Sequence, residues 1–175
     1  MTTDFQKDSL VFAQKCFDDV RAMSKDTTGV SRQGYSPVET KVLEYFKKIG
    51  VELNLEISTD KAGNVWMTVP GKNRKLPALV SGSHADSVPQ GGNYDGLAGI
   101  VAALTVARWM RETGYQPERD YTVLMMRMEE SSWFGKCSHL GEIDNRLAGC
   151  QIFRIKAAFF DGLSKCFSVA AMFEG

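Results

Sequence analysis

The sequence predicts an α/β protein whose mixed central sheet is flanked by helices. Apolar residues recur at helical spacing in three segments, and short apolar runs of strand length lie between them. One helical segment separates two of the strands, which is typical of a βαβ unit with a parallel strand pair. The 175 residues, 43% of them hydrophobic and 24% charged, suffice for a domain with a substantial core.

Periodicity and capping residues define the three predicted helices. Apolar side chains over about residues 5–23 lie mostly at helical spacings, which predicts an amphipathic packing helix. Ser36–Glu39 offers an N-cap serine, a proline at the first helical position and a glutamate at the third, so a second helix is predicted to end near Gly50. From Gly96 to about Gly114 a broad apolar face predicts the third helix.

Two strands are predicted before the crossover unit. Val51–Ser58 alternates apolar with polar residues, as a strand with one solvated face does. Turn-forming residues at positions 60–64 separate it from a short strand at Val65–Val69. Together these segments predict a hairpin.

Two further strands are predicted to bring imidazole and carboxylate groups to one edge of the sheet. Ala78–Val80 is a short apolar strand whose carboxyl end delivers His84, and Tyr121–Met128 is a largely apolar run that ends at Glu129-Glu130. Sites in sheets of this kind gather at the carboxyl ends of the strands. We therefore expect His84 and the glutamate pair to belong to one site.

Charge and cysteine usage narrow the class of protein. Lys plus Arg and Asp plus Glu both number 21, so no basic face is available to bind nucleic acid. The first residues lack the pattern of a signal peptide, and charged residues keep every apolar run short of a membrane span, which predicts a cytoplasmic protein without a membrane partner. The four cysteines include no Cys-x-x-Cys pair and are expected to be reduced.

His84, Asp86 and Asp95 have the composition of a metal site. His84 can bind a metal through one ring nitrogen while Asp86, two positions further on, holds the other. Each residue also has an ordinary structural alternative. His84 alone is compatible with a structural histidine, and Asp95, immediately before the third helix, with an N-cap carboxylate.

Glu129 and Glu130 are adjacent carboxylates at the end of an apolar run. They repel each other and lose hydration there unless a cation or exposure to solvent compensates. With a metal present, one can bind the ion while the other takes the proton from metal-bound water. A solvated loop pair is the alternative.

Two other patterns give weaker signals. Gly91-x-x-x-x-Gly96 lacks the Lys-Ser/Thr pair of a phosphate loop, so its glycines predict a tight turn that brings Asp95 beside His84. Cys137-Ser138-His139 is compatible with a pair of metal ligands or with a surface loop.

Three motifs together resemble the metal-dependent amidohydrolase family that includes N-carbamoyl-L-amino-acid hydrolase, allantoate amidohydrolase and ureidopropionase-type enzymes. The motifs are Asp60-x-x-Gly63-Asn64, Gly82-Ser83-His84-x-Asp86-Ser87-Val88-Pro89-x-Gly91-Gly92-x-Tyr94-Asp95-Gly96, and Glu129-Glu130-Ser131-x-x-Phe134-Gly135. They cover roughly residues 30–136. The related dipeptidase branch places its bridging aspartate much farther from the histidine. The separation of 11 positions between His84 and Asp95 therefore favours the carbamoylase branch.

The resemblance implies a role for each of five residues. His84 would bind one metal ion, Asp95 would bridge two ions, and Glu130 would bind the second. Glu129 would act as the general base, and Asp86 would orient His84. The two ions would be zinc, manganese or cobalt, since histidine and carboxylate ligands suit all three. The implied reaction is attack of metal-activated water on a ureido or amide carbon of a small substrate, such as an N-carbamoyl-L-amino acid.

The resemblance also implies features that this sequence does not contain. Family members are more than twice as long, form homodimers, and have two further histidine ligands, whereas this chain has only His84 and His139. Residues 1–136 are therefore interpreted as the amino-terminal part of an incomplete, aminopeptidase-like catalytic domain, and residues 137–175 as a divergent tail. The alternatives are a catalytically inactive fragment with residual metal binding, an allantoate or ureidopropionate amidohydrolase, and a dipeptidase.

Overall fold

The structure is a computed structural model that describes residues 2–132, with side-chain surroundings for residues 6–130. Within this range the elements follow one another in the order ααβββαβα. The helices are α1 (Thr2–Ser24), α2 (Pro37–Glu52), α3 (Leu97–Glu112) and the single turn α4 (Glu129–Ser132). The strands are β1 (Glu56–Thr59), β2 (Val65–Val69), β3 (Leu79–His84) and β4 (Tyr121–Met126).

The four strands form one mixed sheet in the order β1-β2-β4-β3. β1 and β2 pair as an antiparallel hairpin, and β2 also pairs antiparallel with β4. β3 and β4 pair in parallel, and α3 is the crossover between them. The hairpin, the parallel pair and the mixed sheet predicted from the sequence are all confirmed.

The strand predicted to begin at Val51 is wrong in its first half, because α2 continues through Glu52. The N–H of Leu53 still donates to the carbonyl of Ile49, at 3.0 Å. Asn54 then takes a left-handed backbone conformation, with a φ of 53°, which asparagine tolerates better than most residues and which ends the helix. Only from Glu56 onward is the chain paired as a strand.

The core lies between the sheet and the helices. Helices α2 and α3 pack on the sheet, and α1 packs against both helices. The residues with no exposed surface at this interface include Phe46, Met67, Ile100, Leu104, Val123 and Met125. No helix in the described range has both the length and the apolar character required to cross a membrane.

The parallel strands place their carboxyl ends at the same edge of the sheet. His84 is the last residue of β3 and lies in register with Met126, the last residue of β4. Glu129 and Glu130 do not end the strand, as the apolar run predicted, but begin α4. The extended backbone is interrupted before them at Met128, whose φ is 54°.

Candidate metal centre

The imidazole of His84 is held on one side and faces acidic groups on the other. Its Nδ1 lies 3.1 Å from the backbone oxygen of Asp86 and 3.4 Å from the Oδ1 of the same residue. Its Nε2 lies 3.6 Å from Oδ1 of Asp95 and 4.0 Å from Oε2 of Glu129. A neutral imidazole that carries its proton on Nδ1 donates it to Asp86 and directs the lone pair of Nε2 towards the acidic groups.

Potential ligand atoms from three segments of the chain converge beside Nε2. His84, Asp95 and Glu130 each offer one such atom, and these atoms all lie within 4.8 Å of one another. Glu129 adds a further carboxylate at the same place. Carboxylates grouped in this way repel one another without a cation, and a set of imidazole nitrogen and carboxylate oxygens suits zinc, manganese or cobalt.

Gly96 allows Asp95 to approach the histidine. Its φ is 65°, and a Cβ atom built on it would lie only 2.5 Å from Nδ1 and Cε1 of the His84 ring, so only glycine fits. Gly96 is also the N-cap of α3, and no side chain caps that helix. The alternative role of Asp95 as the N-cap is therefore wrong, since its carboxylate faces the imidazole instead.

Asp86 connects the histidine to the glutamate pair. Its side chain is completely buried. Oδ1 accepts a hydrogen bond from the N–H of Glu129 at 3.0 Å, and Oδ2 accepts one from the N–H of Glu130 at 2.9 Å. The predicted contact with His84 is thus present, whereas the two bonds to the start of α4 were not predicted.

The pKa directions reflect these contacts. Burial alone would raise the pKa of Asp86, but the hydrogen bonds from His84, Glu129 and Glu130 lower it below its ordinary value. Burial alone would lower the pKa of His84, but Asp86 and Glu129 raise it above its ordinary value. Burial and the negative charge of Asp95 both raise the pKa of Glu130. Burial is the larger cause of this last shift, and the negative charge of Asp95 adds to it.

Arg32 is a buried cation behind the site. Its guanidinium has no exposed surface, and its Nε donates to the backbone oxygen of Ala85 at 3.0 Å. Burial lowers its pKa, while the negative charges of Asp86 and Asp95 oppose that effect. A single arginine in a polar stretch carries no sequence signal of burial, so this charge was not predicted. Two other buried residues, Glu39 and Asn64, accept N–H groups of the chain just before Glu129. Glu39 was predicted only to cap a helix, and Asn64 only as part of a motif.

Some predicted features lie outside the described residues. These are Cys137 and His139, the domain boundary at residue 136, and the tail at residues 137–175.

Comparisons with known proteins identify a matching family and several relatives. The model of Peptidase family M28 matches residues 64–148. Ureidoglycolate hydrolase of Oryza sativa subsp. japonica is 34% identical over 123 residues, which are 70% of this chain and 25% of that protein. N-carbamoyl-L-amino-acid amidohydrolase of Paenarthrobacter aurescens is 33% identical over 125 residues, 70% of this chain and 30% of that protein.

A solved structure shares the fold. The crystal structure of an amidase of the hydantoinase/carbamoylase family from Burkholderia multivorans superposes with a TM-score of 0.66 and 26% identity, covering 69% of this chain and 29% of that one. The chain is therefore a relative of the carbamoylase-type amidohydrolases, as its motifs predicted, and the predicted fold class is confirmed. It spans between 25% and 30% of the length of the two curated relatives named above.

Proposed function

We propose that the protein acts as a metal-dependent amidohydrolase that cleaves a carbon–nitrogen bond of a ureido or amide compound, with an N-carbamoyl-L-amino acid as the first candidate substrate. The convergence of His84, Asp95 and Glu130 is the observation that carries this proposal. The relatives support the type of bond, because their names refer to N-carbamoyl-L-amino acids and to ureidoglycolate.

Each side chain of the site has a separate task in this proposal. Divalent metal ions would be held by His84, Asp95 and Glu130. The resemblance to the family implies two such ions. When bound, such an ion polarises a carbonyl group and lowers the pKa of a water molecule. Glu129 lies beside the ligands, and its Oε2 would take the proton that the attacking water loses. Asp86 keeps the proton of His84 on Nδ1.

Ammonia release from N-carbamoyl-L-amino acids, with zinc, manganese or cobalt added, tests the proposal. The wild-type chain should release ammonia, and Glu129→Gln should reduce the rate by about 100-fold or more, the usual contribution of a general base. Glu118→Gln changes an exposed glutamate away from the site and should keep the wild-type rate. Allantoate and ureidoglycolate, assayed in parallel, decide which ureido compound is preferred.

A second candidate function is metal binding without catalysis. The number of ligands favours it, since the cluster contains one histidine and two carboxylates, and the sequence has only one other histidine, His139. A wild-type chain that binds metal and releases no ammonia from any of the three substrates would overturn the hydrolase proposal and support this one. Calorimetric titration with zinc should show weaker binding for His84→Ala and Asp95→Ala. Identical binding by all three proteins would reject the metal site itself.

A further inference from the structure

The backbone immediately before Glu129 is held by two buried side chains to which the proposed chemistry gives no role. The N–H of Arg127 donates to Oδ1 of Asn64 at 2.9 Å. The N–H of Met128 donates to Oε1 of Glu39 at 3.2 Å. These bonds fix the chain at the point where β4 ends and the turn towards the glutamate pair begins.

Asp86 accepts the next two N–H groups along the chain, those of Glu129 and Glu130. Side-chain oxygens therefore accept hydrogen bonds from four consecutive N–H groups, at residues 127–130. We call the three accepting side chains, Glu39, Asn64 and Asp86, the backbone clamp. All three have no exposed surface. They lie between 43 and 89 positions away from the residues that they hold. The accepting side chains are therefore shielded from water, although the donating residues are only half-buried, and the clamp exists only once the domain has folded.

The segment needs such support because its conformation is unfavourable. Met128 has a φ of 54°, in the left-handed region that a methionine adopts at a cost. Gly34 packs against it so closely that a Cβ on Gly34 would lie 2.6 Å from the Cβ of Met128. Contacts from the surrounding structure therefore maintain the turn, since its local sequence does not favour it.

The acceptors of the clamp are themselves fixed. Glu39 also accepts hydrogen bonds from the N–H of Tyr35 and from Nε of Arg127, both at 2.7 Å, and its Oε2 lies 2.6 Å from Nη2 of Arg127. Asn64 donates from its Nδ2 to Oδ2 of Asp60 at 2.9 Å. Glu39 and Asn64 therefore hold their oxygens in a defined position beside the turn. Residues that orient metal ligands through hydrogen bonds are held in the same way.

We infer that Glu39 and Asn64 are positioning residues, which hold the backbone before Glu129 and so set where the carboxylates of Glu129 and Glu130 lie relative to His84. This inference rests on the proposed metal site and extends it to two residues outside the ligand cluster of His84, Asp95 and Glu130. Loss of either acceptor releases the turn, because a left-handed Met128 has no local reason to persist. The glutamates then no longer meet the other ligands in one arrangement.

Calorimetric titration of the full chain with Mn²⁺ tests the inference, with stability measured in parallel by urea denaturation. Glu39→Gln keeps the size of the side chain but turns an amide NH₂ towards N–H donors, and Asn64→Ala removes the acceptor for Arg127. Both should weaken Mn²⁺ binding by about 10-fold or more, as loss of groups that support ligands does. Leu104→Ala truncates a core residue on α3 and is the matched control for lost stability. It should leave the affinity of the folded protein unchanged.

The outcomes separate this inference from the proposed function. Equal Mn²⁺ affinity for wild type and His84→Ala would reject the metal site. Loss of binding in His84→Ala together with wild-type affinity in Glu39→Gln and Asn64→Ala would overturn the positioning role alone. Hydrogen exchange of the wild-type amides at residues 127–130 provides a measurement that needs no variant to fold. Slow exchange supports the clamp, and exchange as fast as in an unstructured peptide would overturn it.

Discussion

The carboxylate of Asp86 lies 3.4 Å from Nδ1 of His84, within a fully buried environment. The same carboxylate accepts the N–H groups of Glu129 and Glu130, so a single side chain connects the end of β3 to the start of α4. The candidate ligands on these two elements are thereby fixed relative to each other through a residue that is not in the ligand cluster.

Replacing Asp86 with asparagine should therefore damage the site without removing a ligand. An asparagine keeps one acceptor oxygen but turns an NH₂ group towards the donors that the second oxygen had accepted. We expect metal affinity to fall by about 10- to 100-fold and the free energy of unfolding by about 1–3 kcal/mol. Calorimetry and urea denaturation measure the two effects. The control is Asp26→Asn, which makes the same change at an exposed aspartate and should keep the wild-type metal affinity. Wild-type metal affinity in Asp86→Asn would contradict the prediction.

Comparing alanine substitutions at Gly96 and Gly114 separates the cost of a strained backbone from the effect of a methyl group that contacts His84. Both have a positive φ, 65° and 68°, but only Gly96 lies against His84, whereas a Cβ on Gly114 would meet nothing within 4 Å. Each alanine substitution should cost about 1–2 kcal/mol of stability from the left-handed backbone. Only Gly96→Ala should also weaken metal binding, because its methyl group displaces the ring. Equal metal affinity in the two variants would show that the ring is not constrained there.

The core on α3 offers a matched pair of truncations. Leu104 has no exposed surface, whereas Val106 on the same helix is 41% exposed. Leu104→Ala should lower the free energy of unfolding by about 2–5 kcal/mol, and Val106→Ala by less than about 0.5 kcal/mol. Urea denaturation followed by circular dichroism measures both values. A cost for Val106→Ala as large as that for Leu104→Ala would mean that another segment covers this face of the helix.

Cys16 should make stability depend on pH in alkaline solution. Burial raises the pKa of its thiol from 9.0 to about 11, and the side chain is only 1% exposed. Between these values the unfolded chain loses the proton while the folded protein keeps it, so rising pH favours unfolding. The free energy of unfolding should fall by about 1.4 kcal/mol per pH unit more in wild type than in Cys16→Ala. Urea denaturation at pH 9, 10 and 11 compares the two slopes, and equal slopes would contradict the prediction.

Segments with a strong local signal were predictable. The serine, proline and glutamate at Ser36–Glu39 located the start of α2, where Ser36 accepts the N–H of Glu39. The end of α2 was misplaced because Val51, Leu53 and Leu55 alternate as in a strand, while the helix continues through Glu52. Alternation of apolar residues is compatible with both structures over so few positions, and packing against the core decides between them.

The candidate site was predictable in its residue types but not in its supporting contacts. The motif spacing placed His84, Asp95 and Glu130 together, and the structure brings their ligand atoms within 4.8 Å. Nothing in the sequence indicated that Glu39 would accept the N–H of Met128, 89 positions away. Hydrogen bonds over such distances depend on how the helices and strands pack, which no local pattern encodes.

The sequence by itself determined three of the helices, the hairpin and the parallel strand pair, the positions of the imidazole and carboxylate groups along the chain, and the family resemblance, because these depend on periodicity, capping and short motifs. It did not determine where α2 gives way to β1 or that Glu129 begins α4. The tertiary structure alone decided that Asp86 would hold α4, that Arg32 would be buried behind the site, and that Met128 would adopt a left-handed turn. These features depend on burial and on bonds between distant segments. A side chain gains such partners only when the sheet and helices have come together.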